Sequence, residues 1–221
     1  NPVGRAWKEE ELYQISSICK ENGVVVVCDE IHSDIMLYGN KHVPMGTLGT
    51  EAMKKNIITC FAPSKTFNCA GIRTSVIVAP DKGLREMLNS RFKKNRSIQQ
   101  NIFAMPALEA AYTKCDDYLE QLLLYLENNV DFVRDYLNER MPKIKLVEPE
   151  ATYLLWLDCS QLGICGDELA GFIIHNCKVG ISRGDSFGPE GKDFIRLNIG
   201  CPISTLRQGL DRIYEQYRKR F

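Results

Sequence analysis

Two hydrophobic patterns alternate along the first part of the chain. Residues 7–22 place Leu12, Ile15, Ile18 and Cys19 at helical spacing. Glu9, Glu10 and Glu11 open that stretch, where acidic residues complement the positive end of a helix dipole, and Gly23 is a natural C-terminal stop. Val24-Val25-Val26-Val27-Cys28 follows as an unbroken β-branched run. Without polar alternation it predicts a strand buried on both faces of a parallel sheet. Ile57-Ile58-Thr59-Cys60-Phe61 and Ser75-Val76-Ile77-Val78-Ala79 are two more such runs, and a short helix is expected near 49–55. Helix, strand, crossover and strand is the α/β pattern of a parallel sheet.

Beyond Pro80 the pattern changes. Residues 81–113 are expected to be helical, with Pro106 marking a break or kink. Leu119, Leu122, Leu123, Leu126, Val130, Val133 and Leu137 then make a long amphipathic stripe, read as a core-facing helix seam. After Pro142, short strands at 153–157, 179–182 and 194–199 alternate with helices near 166–177 and 203–219, which predicts a smaller α+β domain. The expected division is 1–114 for part of a large domain and 115–221 for a long linking helix with a small domain.

Composition narrows the function classes. The chain has 221 residues, 44% hydrophobic and 25% charged, which is ordinary for a globular protein. Lys+Arg and Asp+Glu are both 28, so no basic footprint for nucleic acid or an anionic membrane surface stands out. The apolar runs are far too short to span a bilayer. Nine cysteines form no C-x-x-C pair and lie mostly in apolar or amphipathic stretches, as expected of reduced thiols in a cytoplasmic protein. The opening Asn1-Pro2-Val3-Gly4-Arg5 carries no signal-peptide pattern and reads as a turn entering a helix. The chain is therefore expected to be the C-terminal part of something longer.

The stretch from Phe61 to Arg73 carries the chemistry. Lys65 sits just past an apolar strand, in a turn with Ser64, Gly71 and Arg73, where a Schiff-base amine would lie beside phosphate-gripping groups. Desolvation of a buried lysine favours the neutral amine that such chemistry needs. Asp29 closes another apolar strand, and in parallel sheets ligands bind at the carboxyl ends of strands. An amine for the aldehyde and a carboxylate for the pyridine nitrogen are what pyridoxal 5′-phosphate (PLP) requires of a protein. His32 is a candidate for the ring's phenolic oxygen or the wall of the site. Arg196, on an otherwise apolar strand, is an inward candidate for gripping a substrate α-carboxylate. Each has a plainer alternative: a solvated lysine, a helix-capping aspartate, a structural histidine, and an arginine in an internal salt bridge. The glycine-rich segment 184–191 does not run from a strand into a helix and reads as a surface turn. Dinucleotide and Walker patterns are absent, as are histidines paired at metal spacing.

Taken in order, these segments resemble fold-type I PLP enzymes of the class I/II aminotransferase group, most of all the MalY/PatB branch of cystathionine β-lyases. The resemblance rests on Asn1-Pro-Val-Gly-Arg5, Asp29-Glu-Ile-His-Ser-Asp34, Ala62-Pro-Ser-Lys-Thr-Phe-Asn68, Thr152-Tyr-Leu-Leu-Trp-Leu-Asp158, Gly184-Asp-Ser-Phe-Gly188 and Arg196-Leu-Asn-Ile-Gly-Cys-Pro202. It implies that Lys65 forms the Schiff base and moves the α-proton, and that Asp29 pairs with the pyridinium. It further implies that Asn1 bonds the ring's O3′, that Ser64 and Arg73 bind phosphate, and that Arg196 binds the substrate carboxylate. His32 stands where many relatives carry a tyrosine, and Ala62 where many carry Ser or Gly. The resemblance makes 1–114 the C-terminal part of the large PLP-binding domain and implies a homodimer in the full-length parent acting on a small amino-acid substrate. It also implies a further N-terminal portion supplying the phosphate cradle and a ring stacked on the pyridine. Two rival readings stand beside the lyase: an aminotransferase with the same cofactor, and a non-catalytic fragment.

Overall fold

The computed structural model describes residues 1–95 and 101–221, which divide into two compact units. One comprises Ala6–Met36 and Lys41–Glu120; the other comprises Asn1–Arg5, Leu37–Asn40 and Gln121–Phe221. Among the described residues, no helix is long and apolar enough to cross a membrane.

In the first unit, helix α1 (Glu9–Glu21) starts where the Glu11 carboxylate accepts from the Lys8 amide at 3.0 Å. It stops before Gly23, whose φ of 67° suits a residue without a Cβ. Strand β1 (Val26–Asp29) pairs in parallel with β2 (Ile57–Phe61), in a register running from Val26 opposite Ile57 to Asp29 opposite Cys60. Between them lies helix α2 (Glu51–Lys54), capped by Thr50. The third run forms β3 (Val76–Val78), which pairs antiparallel with β2. This corrects the all-parallel expectation: the connection 62–75 folds as turns and one 3₁₀ turn at Ala70–Ile72, with no crossover helix to carry the chain back to the other end of the sheet.

The expectation of strands buried on both faces is also corrected. Leu12 of α1 packs with Met45, Leu48 and Ile57, and Val26 and Cys28 lie against that cluster. Val27 points the other way and is 65% exposed. One face of β1 therefore builds core within these residues, and the alternate face stands open.

Helices α3 (Lys82–Lys94) and α4 (Ala104–Lys114) follow. The break falls before α4, and residues 96–100 of the expected helix lie outside the described residues. Pro106 sits in the first turn of α4 and breaks nothing. A helix's first turn has no intrahelical acceptor for its amides, so proline's missing N–H costs little there.

Most of helix α5 (Asp116–Arg140) belongs to the second unit, and its buried residues Leu126, Val130, Val133 and Leu137 match the expected stripe. Strands β4 (Lys145–Val147), β5 (Leu154–Asp158), β6 (Ser182–Arg183) and β7 (Phe194–Asn198) form an antiparallel sheet in the order β4-β5-β7-β6. β4 is an edge strand too short to read from the sequence. Helix α6 (Gly166–Gly171) widens into a π turn over Phe172–Asn176, and α7 (Ile203–Arg220) ends the chain. Four successive residues of β5, Leu154 to Leu157, are buried, so that strand is covered on both faces. Each such side chain contributes about 1.5–3 kcal/mol by leaving water.

Asn129 is a polar exception inside α5, 1% exposed. Its amide donates to the carbonyls of Ile199 at 2.9 Å and Cys201 at 3.2 Å, tying α5 to the segment that links β7 and α7. Asn129→Ala should lower stability by about 2 kcal/mol, because it leaves two acceptors short of a partner in a buried site. Urea unfolding monitored by tryptophan fluorescence measures this, and an unchanged midpoint would contradict it.

Candidate active site

β2 ends at Phe61, and the chain turns at once. The Phe67 amide donates back to the Pro63 carbonyl at 2.9 Å, and the Cys69 amide donates to the Ser64 carbonyl at 3.2 Å. Lys65 lies inside this turn. Asn68 (φ 49°) and Arg73 (φ 54°) both adopt the left-handed conformation. For residues with a Cβ this costs on the order of 1 kcal/mol each and persists only where neighbours hold it.

One neighbour is the loop after β1. Thr66 is completely buried, and its hydroxyl donates to Asp34 Oδ2 at 2.7 Å. The Tyr112 hydroxyl, from α4, donates to the same oxygen at 3.3 Å. The Tyr112 ring meets Phe61 and Phe67 edge-on, with centroids 6.1 and 5.4 Å apart. Burial, and then the Asp34 carboxylate, push the Tyr112 phenol well above its ordinary value.

Asp29 closes β1 directly opposite Cys60, and the Glu30 amide donates to the Cys60 carbonyl at 2.8 Å. The two strands are parallel, so Asp29 and the Lys65 turn emerge at the same end of the sheet from adjacent strands. Asp29 Oδ1 accepts from the Ile31 amide at 3.2 Å, but the residues that follow form a turn and no helix, so the helix-capping alternative does not hold. No cation among the described residues pairs with the carboxylate. Glu30, by contrast, is engaged: it accepts from the Met45 amide at 3.2 Å and faces His42 Nε2 at 3.1 Å. Burial first, and then the charge of Asp29, raise the Cys60 thiol. His32 is half-buried in the same loop, its carbonyl accepting from Ile35.

Lys65, Asp29 and Arg73 are all exposed, and Ser64 is half-buried. The expected burial of the amine is thus not supplied by the described residues. Neither Lys65 nor Arg73 has a carboxylate within ion-pair distance among them.

Arg196 and Asn1 belong to the second unit. On β7, Ile195 and Leu197 are buried, and Arg196, half-buried, lies on the alternate face opposite Trp156. Its guanidinium donates to Ser182 Oγ at 3.2 Å and lies 4.6 Å over the Phe187 ring. Phe187 in turn meets Trp156 edge-on at 5.8 Å. Arg196 has no carboxylate partner among the described residues, so the internal salt-bridge alternative fails. The segment bearing Asn1 is fixed by the Gly4 carbonyl, which accepts from the Glu150 and Ala151 amides at 2.8 and 2.9 Å.

Sequence reasoning assigned no role to Asp34, Thr66, Tyr112, Ser182 or Phe187. Asp34 and Thr66 lie within stretches already singled out, and a Thr directly beside the lysine was a usable signal. Tyr112 carried none, because its partners are distant along the chain.

The family described as "Aminotransferase class I and II" matches residues 1–213. The chain belongs to that family. It is 43% identical over 213 residues to cystathionine beta-lyase PatB of Bacillus subtilis, covering 96% of this chain and 55% of that protein. Among solved structures it superposes on a PLP-bound putative aminotransferase from Clostridium difficile with a TM-score of 0.94 and 43% identity, covering 98% of this chain and 56% of the other. A PLP-bound C-S lyase from Staphylococcus hominis matches with a TM-score of 0.87 and 34% identity, covering 98% of this chain and 56% of the other. The chain spans about half the length of the relatives it matches. Its α/β fold is that of part of a fold-type I enzyme, as expected.

The segment that carries Phe187 depends on two glycines. A Cβ on Gly184 would overlap the Gly191 carbonyl oxygen, and a Cβ on Gly191 would overlap that of Gly184. Gly184→Ala should therefore cost about 1–3 kcal/mol through enforced backbone movement, and should displace Phe187 from Arg196. Thermal unfolding measures the first effect; an unaltered melting temperature would show that the two turns can separate freely.

Proposed function

We propose that this chain is part of a PLP-dependent carbon–sulfur β-lyase of the cystathionine β-lyase type. Its products would be a thiol, pyruvate and ammonia, from an S-substituted cysteine and one water. The observation that carries the reading is a lysine turn and an aspartate at the same end of two adjacent parallel strands, with one carboxylate oxygen unpartnered. The names of the relatives, a cystathionine beta-lyase and a C-S lyase, support the lyase outcome.

The residues present fit the cofactor chemically. Asp29 offers the negative charge that would keep the pyridine nitrogen protonated, and Ser64 and Arg73 offer a hydroxyl and an uncompensated guanidinium for phosphate. When bound, PLP withdraws electrons from the substrate α-carbon. Lys65 would hold the aldehyde covalently, yield its place to the substrate amine, and then take the α-proton as general base. Loss of the β-sulfur as thiol follows from that deprotonation. Asn1 would bond O3′, and His32 would bond it or line the wall. Arg196, steadied by Phe187 and Ser182, would grip the substrate α-carboxylate. Ala62 offers the phosphate nothing beyond its backbone.

In this reading, 1–114 form the C-terminal part of the PLP-binding domain and 115–221 the linking helix and small domain of a cytoplasmic homodimer. Pyruvate release from an S-substituted cysteine without added keto acid tests the lyase, in protein expressed from the whole reading frame. Strict dependence on a keto-acid acceptor would reverse the assignment to aminotransferase. Lys65→Ala should reduce turnover by about 10²–10⁴-fold, since one group serves as both nucleophile and base.

The exposure of Lys65, Asp29 and Arg73 favours a second reading for the 221 residues taken alone: a fold that holds PLP weakly and turns over poorly. Mixed with PLP, these residues by themselves should show little visible absorbance that borohydride fixes onto Lys65. Full stoichiometric fixation would overturn that expectation.

A further inference from the structure

We infer that Asp34 is a positioning residue for Lys65, acting through Thr66; this rests on reading Lys65 as the cofactor-binding amine. Lys65 is exposed, so the aim of its amine is set by the backbone of the turn. One carboxylate ties that turn to the loop after β1. Thr66, next to the lysine, is completely buried, and its hydroxyl donates to Asp34 Oδ2 at 2.7 Å, within the short range of hydrogen bonds to an ionised acceptor. Thr is stiff about χ1, so anchoring its hydroxyl fixes residue 66 and with it the direction in which residue 65 projects.

The same carboxylate oxygen holds Tyr112, whose ring is packed edge-on against Phe61 and Phe67. Those two residues bracket the turn. Asp34 therefore grips the lysine segment directly at Thr66 and indirectly at both flanks. It does so from the loop that begins at Asp29, so the segment bearing the carboxylate proposed for the ring nitrogen and the segment bearing the amine proposed for the aldehyde are tied together by the Thr66–Asp34 hydrogen bond. A carboxylate suits this node because both donors are hydroxyls and it accepts only; an amide would offer the same site one acceptor oxygen without the charge.

The test is the rate at which PLP is captured covalently by Lys65, read as visible absorbance, fixed with borohydride and located by peptide mapping. The protein used is that expressed from the whole reading frame. Thr66→Val keeps the buried volume and removes only the hydroxyl. It should slow capture about tenfold or more, as expected for loss of a charge-assisted hydrogen bond, and Thr66→Ser should restore the rate. Asp34→Ala should slow capture similarly, and the double variant Asp34→Ala/Thr66→Val should be no slower than the slower single, because both remove the same link. Should Asp34→Ala fail to fold, the Val and Ser pair at position 66 decides the matter. Capture at the unmodified rate in a folded Thr66→Val protein would overturn the positioning role and leave Lys65's own role intact. Absence of capture at Lys65 in the unmodified protein would overturn the reading of the lysine, and the positioning role with it.

Discussion

The parallel pairing of β1 with β2 is the constraint from which the candidate site follows. Parallel strands point their carboxyl ends the same way, so whatever follows each strand emerges at one edge of the sheet. With Asp29 opposite Cys60, the aspartate loop and the lysine turn become neighbours even though some 36 residues separate them in the chain. Antiparallel pairing would have sent them to opposite ends. A slip of one residue would have turned Val26 and Cys28 away from Leu12 and Ile57, so the core beneath β1 holds the register that the chemistry uses.

Register alone brings two backbones together without fixing side chains. The Asp34, Thr66 and Tyr112 node supplies that second step with polar groups, at a place where the lysine itself is exposed. The left-handed Asn68 and Arg73 show the same economy: the segment accepts local strain because its ends are anchored. In the second unit the solution differs. Arg196 is presented by strand alternation, opposite Ile195 and Leu197, and steadied by an aromatic face and one hydroxyl. A guanidinium placed over a ring, with no carboxylate against it among the described residues, keeps donors available for an anion.

Legibility followed range. Helix α1 and its stop at Gly23, strand β2, the α5 stripe and α7 could be read because each depends on neighbours a few residues away. β3 is legible as a strand, yet its direction is set by how the connection folds and by its partner. Val27 was expected inside on composition, whereas exposure depends on which surfaces lie over it. Pro106 suggests a break because proline weakens helix interiors; in a first turn it does not. Lys65, Asp29 and Arg73 stood out through residue type and place, while Tyr112 and Phe187 were invisible because their partners come from other elements.

By itself, the amino-acid sequence determined which segments become helix or strand and which of its residues can do chemistry, since periodicity, capping and functional groups are local properties. Only the tertiary structure decided that Asp29 and Lys65 share a sheet edge, that Asp34 reaches Thr66, and that Arg196 meets a ring and a hydroxyl in place of a carboxylate. Those outcomes depend on strand direction and register, which are settled by burial and hydrogen bonding between residues far apart along the chain.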